Sequence, residues 1–173
     1  MRCLTAPALP DILEPGLRIV FCGSAAGAVS ARIGAYYAGP GNKFWPMLHK
    51  TGLTPTLLEP MQFRRLPDFG IGITDLAKHA SGSDASLPSG ADDPAGLHDR
   101  IQRNRPGILA FNGKRSARVF LKHLAGARTV DYGIQPWKLE GTEIFVLPST
   151  SGLASGYWDE APWYALARHA KTV

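Results

Sequence analysis

A turn of very small residues follows the first apolar run of the chain. Residues 17–22 (LRIVFC) lead directly into Gly23-Ser24-Ala25-Ala26-Gly27. An apolar run that stops in such a turn is typical of a buried strand passing through a tight loop into a helix. Because the first amides of a helix have no intrahelical partner and bind electron-rich atoms, we predict that this loop forms the floor of a ligand site.

Two well-known loop chemistries do not match this turn. A dinucleotide loop requires Gly-x-Gly-x-x-Gly with an acidic residue about 20 positions later, whereas the spacing here is Gly-x-x-x-Gly without that acid. A nucleophile elbow requires Gly-x-Ser-x-Gly, but Ser24 follows glycine directly. A tight turn with a purely structural role is the remaining alternative.

Length, charge and cysteine content indicate a single cytoplasmic domain. The 173 residues suit one packed domain, 1–173, in which residues 1–16 form a loose proline-rich lead-in. Lys and Arg number 19 against 14 Asp and Glu, and this net charge of +5 favours a polyanionic partner, although solubility alone also explains it. With only Cys3 and Cys22, neither a disulfide framework nor a four-cysteine metal site is available. Without a targeting or spanning segment, we expect a soluble protein with no membrane partner.

The order of the predicted elements favours an α/β fold. Alternating strands and helices predict a three-layer α/β/α sandwich with a short, mainly parallel central sheet. Right-handed crossovers would bring the loops after Cys22, Asp75, Asn112 and Leu147 to one edge of that sheet. The predicted strands are 17–22, 69–75, 107–111 and 142–147; the predicted helices are 28–33, a helix capped by Asn42, one within 54–65, 95–104, 113–125 and 158–171; residues 78–94 and 148–156 are predicted loops.

Three segments resemble the mismatch-specific uracil-DNA glycosylases, relatives of thymine-DNA glycosylase. Residues 11–23 (DILEPGLRIVFCG) resemble the start of that family, residues 40–45 (PGNKFW) its Pro-x-Asn-Arg-Phe-Trp motif, and residues 146–153 (VLPSTSGL) its Leu-Pro-Asn-Pro-Ser-Gly-Leu loop. The resemblance implies an enzyme that flips uracil, or a related damaged or mismatched base, out of DNA and hydrolyses its bond to the sugar. It also implies an abasic product, no metal or redox cofactor, and double-stranded, uracil-containing DNA as the partner of a monomer.

Three departures from the family pattern affect its functional residues. Where the family has Gly-Ile-Asn-Pro-Gly, Ala25 replaces the asparagine expected to position the attacking water. Ser149 replaces the asparagine of the later loop, and Ser155 stands where an arginine helps to fill the gap left in the duplex. Because alanine cannot hold a water molecule, the usual catalytic residue of the family is excluded here.

The replacement catalytic group that we predict is Asp75. It leaves the second predicted strand at the same sheet edge, where more distant uracil glycosylases keep a base-recognition asparagine. A carboxylate there can orient water or stabilise a cationic sugar, although a turn or helix cap is the plain alternative. His79 is a weaker candidate for the same role, and Ser24 joins the catalytic group because its loop amide faces the departing base.

The remaining site residues follow from the same resemblance. Tyr37 matches the aromatic residue that stacks on the base, and Leu153 matches the wedge that enters the vacated stack. The base-binding group is Gly23, Ala25, Ala26, Tyr37, Asn42 and Ser149; the DNA-binding group is Lys114, Arg115, Ser151, Gly152, Leu153 and Ser155. Two other functions remain open: a module that binds an extruded base without turnover, and a small-molecule α/β hydrolase or nucleotide-binding protein.

Overall fold

A computed structural model describes residues 6–173, and within them the strands form one five-stranded sheet. Four strands are parallel, and the edge strand β4 pairs antiparallel with β5. The order across the sheet is β2-β1-β3-β5-β4. The strands are β1 Ile19–Gly23, β2 Ile71–Asp75, β3 Ile108–Asn112, β4 Gly133–Leu139 and β5 Thr142–Leu147.

Helices cover both faces of the sheet, so the predicted three-layer α/β/α sandwich is confirmed. The helices are α1 Ala28–Ile33, α2 Phe44–Lys50, α3 Pro94–Asn104, α4 Lys114–Ala125 and α5 Ala161–His169, and short 3₁₀ segments occupy Pro60–Phe69, Asp84–Ser86 and Gly152–Tyr157. None of the helices in residues 6–173 has the length and apolar character needed to cross a membrane.

Alternate residues of β1 enter two separate cores, because successive side chains of a strand point to opposite faces. On one face Phe21 packs edge-on against Phe44, with ring centroids 5.2 Å apart, and stacks on Trp163 at 5.6 Å. On the other face Val20 joins Phe111 and Phe120, whose rings lie 5.4 Å apart, together with residues of α3. Burial on both faces accounts for the continuous apolar run in the sequence.

Several predicted boundaries were wrong. Strand β4 was missed because Pro136 interrupts its pattern; an edge strand tolerates proline, and the β4–β5 register is irregular between Ile134 and Lys138. The helix predicted within 54–65 is instead the 3₁₀ segment Pro60–Phe69, which has Pro67 inside it. The closing helix is shorter than 158–171.

The part of the lead-in that the structure describes is packed against the sheet rather than loose. Residues 1–5, including Cys3, lie outside the described residues, but Leu9 is only 1% exposed and Ile12 exchanges two backbone hydrogen bonds with Ile73, of 2.9 and 3.0 Å. Gly72 permits this approach, because a Cβ there would lie 2.4 Å from the Ile12 carbonyl oxygen. Residues 8–12 therefore cover the outer side of β2.

The carboxyl ends of β1, β2, β3 and β5 meet at one edge of the sheet, as predicted. Gly23 is the register partner of Asp75, and Asn112 is the register partner of Leu147. In parallel α/β sheets this edge is where ligands bind.

Candidate active site

A cleft of about 680 Å³ lies at this edge of the sheet. Most of the residues chosen from the sequence line it, although they come from segments more than 100 positions apart. These residues are Gly23, Ser24, Ala25, Ala26, Tyr37, Asn42, Asp75, Lys114, Arg115, Ser149, Ser151, Gly152 and Leu153. The structure thus brings together both strand exits, the aromatic residue and the later loop.

Two of the chosen residues do not line the cleft. His79 is exposed and lies outside its lining, although the preceding Lys78 is buried. Ser155 is also exposed and outside, in the 3₁₀ segment beyond Leu153. The side chains of His79 and Ser155 are therefore not placed to contact a ligand bound in the cleft.

The loop Gly23–Gly27 is held by its carbonyl groups. The carbonyls of Gly23 and Ser24 accept from the amides of Leu76 and Ala77, at 2.9 and 2.7 Å, and the Ala26 carbonyl accepts from Gly82 at 2.9 Å. These bonds fix the loop against the segment that follows β2. The loop therefore lines the cleft with backbone groups and small side chains, and helix α1 begins directly after it at Ala28.

Asp75 is the buried carboxylate of the cleft, with 3% of its surface exposed. A Cβ added to Gly23 would lie 3.1 Å from Asp75 Oδ1 and equally 3.1 Å from the Tyr37 hydroxyl oxygen. Both oxygens therefore converge over the end of β1, and they do so because glycine has no side chain there. A side chain at position 23 would therefore crowd both oxygens.

The surroundings of Asp75 favour its neutral form more than water does. Burial raises its pKa to about 6, while the nearby charge of Lys78 opposes the rise. A nearby second carboxylate, Asp11, acts in the same direction as burial. At neutral pH the group is mainly ionised, yet it is a better proton acceptor than a solvated aspartate, as a general base requires.

Tyr37 is held in an uncommon backbone conformation beside this carboxylate. Its φ of 52° lies in the left-handed region, which is rare for a residue with a bulky side chain. Its ring lies 4.1 Å from the Phe44 ring, and its hydroxyl oxygen is buried with no hydrogen-bond partner among the described residues. Burial, and then the charge of Asp75, raises the pKa of Tyr37, so the hydroxyl stays protonated.

Asn112 and Thr150 also line the cleft, and sequence reasoning assigned them no role. The Asn112 amide nitrogen donates to Thr150 Oγ1 at 2.8 Å, and the Thr150 amide donates to Asn112 Oδ1 at 3.0 Å. This pair fixes the Asn112 side chain close enough to the Tyr37 hydroxyl to oppose the rise in the pKa of Tyr37, although the two groups make no hydrogen bond. The signal that could have found Asn112 is its place as the last residue of a buried strand at the same edge as Asp75.

The rim of the cleft is built from two loops that are tied together. The Lys43 amide donates to the Thr150 carbonyl at 2.9 Å, and a Cβ on Gly152 would lie 3.1 Å from the Pro40 carbonyl oxygen. Glycine at 152 therefore lets the two loops touch. Beyond this contact Leu153 is 88% exposed, and its amide donates to Ser151 Oγ at 3.2 Å.

Asn42 and Ser149 both have local structural roles on this rim. Asn42 Oδ1 accepts from the Phe44 amide at 3.0 Å, so it satisfies the first turn of α2 although Lys43 occupies the N-cap position. Ser149 Oγ accepts from the Ser151 amide at 3.3 Å. These bonds leave the amide nitrogen of Asn42 and the hydroxyl hydrogen of Ser149 as groups that can donate to a ligand.

The two basic residues at the start of α4 differ in their surroundings. Arg115 is paired with Asp92 through two bonds of 3.0 and 2.9 Å, which neutralises much of its charge. Lys114 instead places its Nζ 4.3 Å from the centre of the Tyr132 ring. Lys114 is therefore the better of the two to meet a phosphate.

Tyr157, 82% exposed near the rim, is a large apolar group that the sequence reasoning overlooked.

Comparison with known proteins agrees with this geometry. The chain is similar to a solution NMR structure from Methanosarcina acetivorans, named as a candidate uracil DNA glycosylase, with a TM-score of 0.60 and 25% sequence identity over 94% of this chain and 96% of that one. Residues 10–169 match the family model described as the uracil DNA glycosylase superfamily. Because this match covers nearly the whole chain, the protein belongs to the uracil DNA glycosylase superfamily, which gives it a DNA glycosylase role.

Proposed function

We propose that this protein is a monofunctional glycosylase of the mismatch-specific branch, which excises uracil or a related damaged or mismatched base from double-stranded DNA. The observation that supports this most is the position of Asp75, a buried carboxylate in the cleft beside the Gly23–Gly27 loop and Tyr37. It supplies an acidic group next to the loop whose own water-positioning side chain is missing. Water attack with Asp75 as base requires no lysine nucleophile, so we expect an abasic site without strand cleavage.

Access to the bond requires the target nucleotide to leave the base stack. The exposed side chain of Leu153 is suited to fill the gap, because an apolar wedge offsets part of the cost of unstacking. The ring of Tyr37, held from behind by Phe44, offers a face on which the extruded base can stack. Such stacking contributes about 1 to 3 kcal/mol per base.

The reaction is a substitution at C1′ of the deoxyribose. The C1′–N bond breaks, its electron pair goes to the departing base, and a water oxygen forms a new bond to C1′. Asp75 orients that water, accepts its proton and stabilises the positive charge that develops on the sugar. Amides of the loop 24–27 stabilise the negative charge on the base, which then takes up a proton from solvent.

Excision from a duplex oligonucleotide that carries a single uracil tests the proposal. Under single-turnover conditions we expect free uracil and an alkali-sensitive abasic site with the wild-type protein. Asp75→Asn should reduce the rate about 100- to 10,000-fold, because general base catalysis and charge stabilisation contribute about that much. Asp68→Asn, an exposed residue outside the cleft, is the matched control and should keep the full rate. Full activity in Asp75→Asn would remove Asp75 from the mechanism.

A binding module without turnover is the second candidate, and Ala25 favours it. The side chain expected to position water is missing from the loop, whereas the aromatic platform and the wedge are present. Tight binding of uracil-containing duplex with no released base, even at protein concentrations far above that of the DNA, would select this function. Absence of any salt-dependent affinity for DNA would reject both candidates.

A further inference from the structure

A cluster of charged residues that do not line the cleft lies next to Asp75. Lys78 Nζ is 2.8 Å from Asp11 Oδ1 and 3.9 Å from Asp75 Oδ2. Arg100 contacts both aspartates. Its Nη2 donates to the main-chain carbonyl of Asp75 at 2.8 Å, and its Nε lies 3.6 Å from Asp11 Oδ2. Thr74 Oγ1 also donates to Asp11, at 2.7 Å.

Asp11 is the centre of this cluster, although it belongs to the lead-in before the sheet. Neither Lys78 nor Arg100 lines the cleft, so they can act on Asp75 but not directly on a ligand in the cleft. Lys78 is 7% exposed, and its second partner is the Tyr36 hydroxyl at 3.0 Å. An ammonium group buried to this degree requires a compensating carboxylate, and Asp11 provides it.

Lys78 lies closer to Asp11 than to Asp75. Its contact with Asp11 is a short ion pair, whereas 3.9 Å to Asp75 is longer than a hydrogen bond. Asp11 therefore draws Lys78 partly away from Asp75. The groups that face Asp75 from the elements packed against it are Asp11 of the lead-in, Cys22 of β1, Tyr36 and Tyr37 after α1, Lys78 after β2 and Arg100 of α3.

We propose that Asp11 and Lys78 are positioning residues whose ion pair determines the pH at which the Asp75 carboxylate becomes active. This inference rests on the proposed function of Asp75. It makes residues 8–12 part of the catalytic apparatus, since the two backbone bonds between Ile12 and Ile73 and the bond from the Ala8 amide to the Lys78 carbonyl fix Asp11 relative to β2. Neither Asp11 nor Lys78 contacts the substrate in this scheme.

The two residues should act with opposite signs. Removing the Asp11 charge leaves Lys78 and Arg100 with Asp75 as their remaining acid, which favours its ionised form and lowers its pKa. Removing the Lys78 charge deprives Asp75 of its nearest cation and raises its pKa. Because the carboxylate is the active form, Asp11→Asn should move the acid limb of the pH–rate profile to lower pH, and Lys78→Met should move it to higher pH.

A direct measurement follows the Asp75 carboxyl carbon by NMR in the full-length ¹³C-labelled protein, without substrate. We expect its titration midpoint to fall by about one pH unit in Asp11→Asn and to rise by about one pH unit in Lys78→Met. Lys78→Arg keeps the charge and should stay close to the wild type even if the methionine variant folds poorly. Glu14→Gln, an exposed acid on the same lead-in, is the control for a general change in charge.

The pH–rate profile for base excision then links the titration to turnover. The proposal is supported if the NMR titration midpoints of Asp75 move in opposite directions in the two variants and the acid limbs of the pH–rate profiles move with them. In a protein that already carries Asp75→Asn, adding Asp11→Asn should not move the pH–rate profile. Midpoints that stay together in all variants overturn it. Opposite shifts in the titration without any base release would instead place the failure in the proposed function.

Discussion

The segments at the carboxyl ends of β1 and β2, the β1 exit and the β2 exit, lie side by side, yet they bring different chemical groups to the cleft. The β1 exit, Gly23–Gly27, presents backbone and small groups, and its carbonyls are fixed by amides of the chain beyond β2 and of α1. The β2 exit carries Asp75, a carboxylate with cations behind it. Gly23 and Asp75 are register partners, so the groups lie in the same layer of the sheet.

Under the proposed mechanism, a carboxylate on β2 takes the place of a side chain that the β1 loop does not have. Adjacent strands are about 4.8 Å apart, so a carboxylate at the end of one strand reaches the space above its neighbour. Here Asp75 Oδ1 would be in contact with any side chain at position 23. In the proposed mechanism the β1 exit is therefore a surface of backbone and small groups, and the β2 carboxylate is the reacting group above it.

The largest effect expected from the β1 side is that of Gly23→Ala. The new methyl group would lie 3.1 Å from both Asp75 Oδ1 and the Tyr37 hydroxyl oxygen, so at least one must move. The shift required is a few tenths of an ångström. Because misplacing reacting groups by about 1 Å costs about 100-fold, we expect the single-turnover rate to fall by up to about 100-fold. Gly27→Ala, in the same loop with nothing within 4 Å of its new methyl, should keep the rate. Equal losses in both variants would mean that the loop backbone, rather than the convergence of oxygens, is what matters.

The free energy of unfolding measures how much the buried, ionised Asp75 destabilises the folded protein. Because the folded pKa of about 6 is above the unfolded value of about 3.9, the folded state holds the proton more tightly, and stability from this group falls as pH rises from about 4 to 6. Asp75→Asn avoids that cost. We expect it to raise the free energy of unfolding by about 2 kcal/mol at pH 8, roughly 30-fold in the unfolding constant, with the gain absent at pH 4. Denaturant unfolding at both pH values measures this, and a gain of equal size at pH 4 would assign it to another cause.

Tyr37 allows the stacking face to be separated from the hydroxyl. Tyr37→Ala removes the ring and should weaken binding of a uracil-containing duplex about tenfold, in line with the energy of one stacked base. Tyr37→Phe keeps the ring and should bind as tightly as the wild type, while any loss in its excision rate measures the buried hydroxyl beside Asp75. Fluorescence anisotropy and single-turnover assays on the same variants give both numbers. Equal binding by the alanine variant would exclude base stacking on Tyr37.

The smallest effect belongs to the side chain of the loop residue Ser24. Ser24→Ala leaves the carbonyl bond to Ala77 in place, and the single-turnover rate should change by less than about twofold. Such a result would mean that the β1 exit acts through its backbone alone. A loss as large as that of Asp75→Asn would return catalysis to the β1 side chains and contradict the division proposed here.

Local patterns predicted the sheet well because its central strands are continuous apolar runs that end in turn residues. Strands β1, β2, β3 and β5 were expected within about two residues of their observed ends, and helix α1 was predicted with its observed bounds. Strand β4 was missed, since its proline and its polar face remove that signal, and only pairing with β5 makes it a strand. The order β2-β1-β3-β5-β4 likewise depends on contacts between distant segments.

For the site, the sequence alone gives the residue types at the strand exits and the order of the motifs. It predicted that Gly23, Asp75 and the loop after Leu147 share one edge, because parallel strands end together, and the family resemblance added Tyr37 and Leu153. The tertiary structure was needed to show that Asp75 is buried over Gly23, that His79 lies outside the cleft, and that Lys78 lies between Asp11 and Asp75. Burial and charge pairing depend on groups that are far apart in the chain, and no local pattern records those distances.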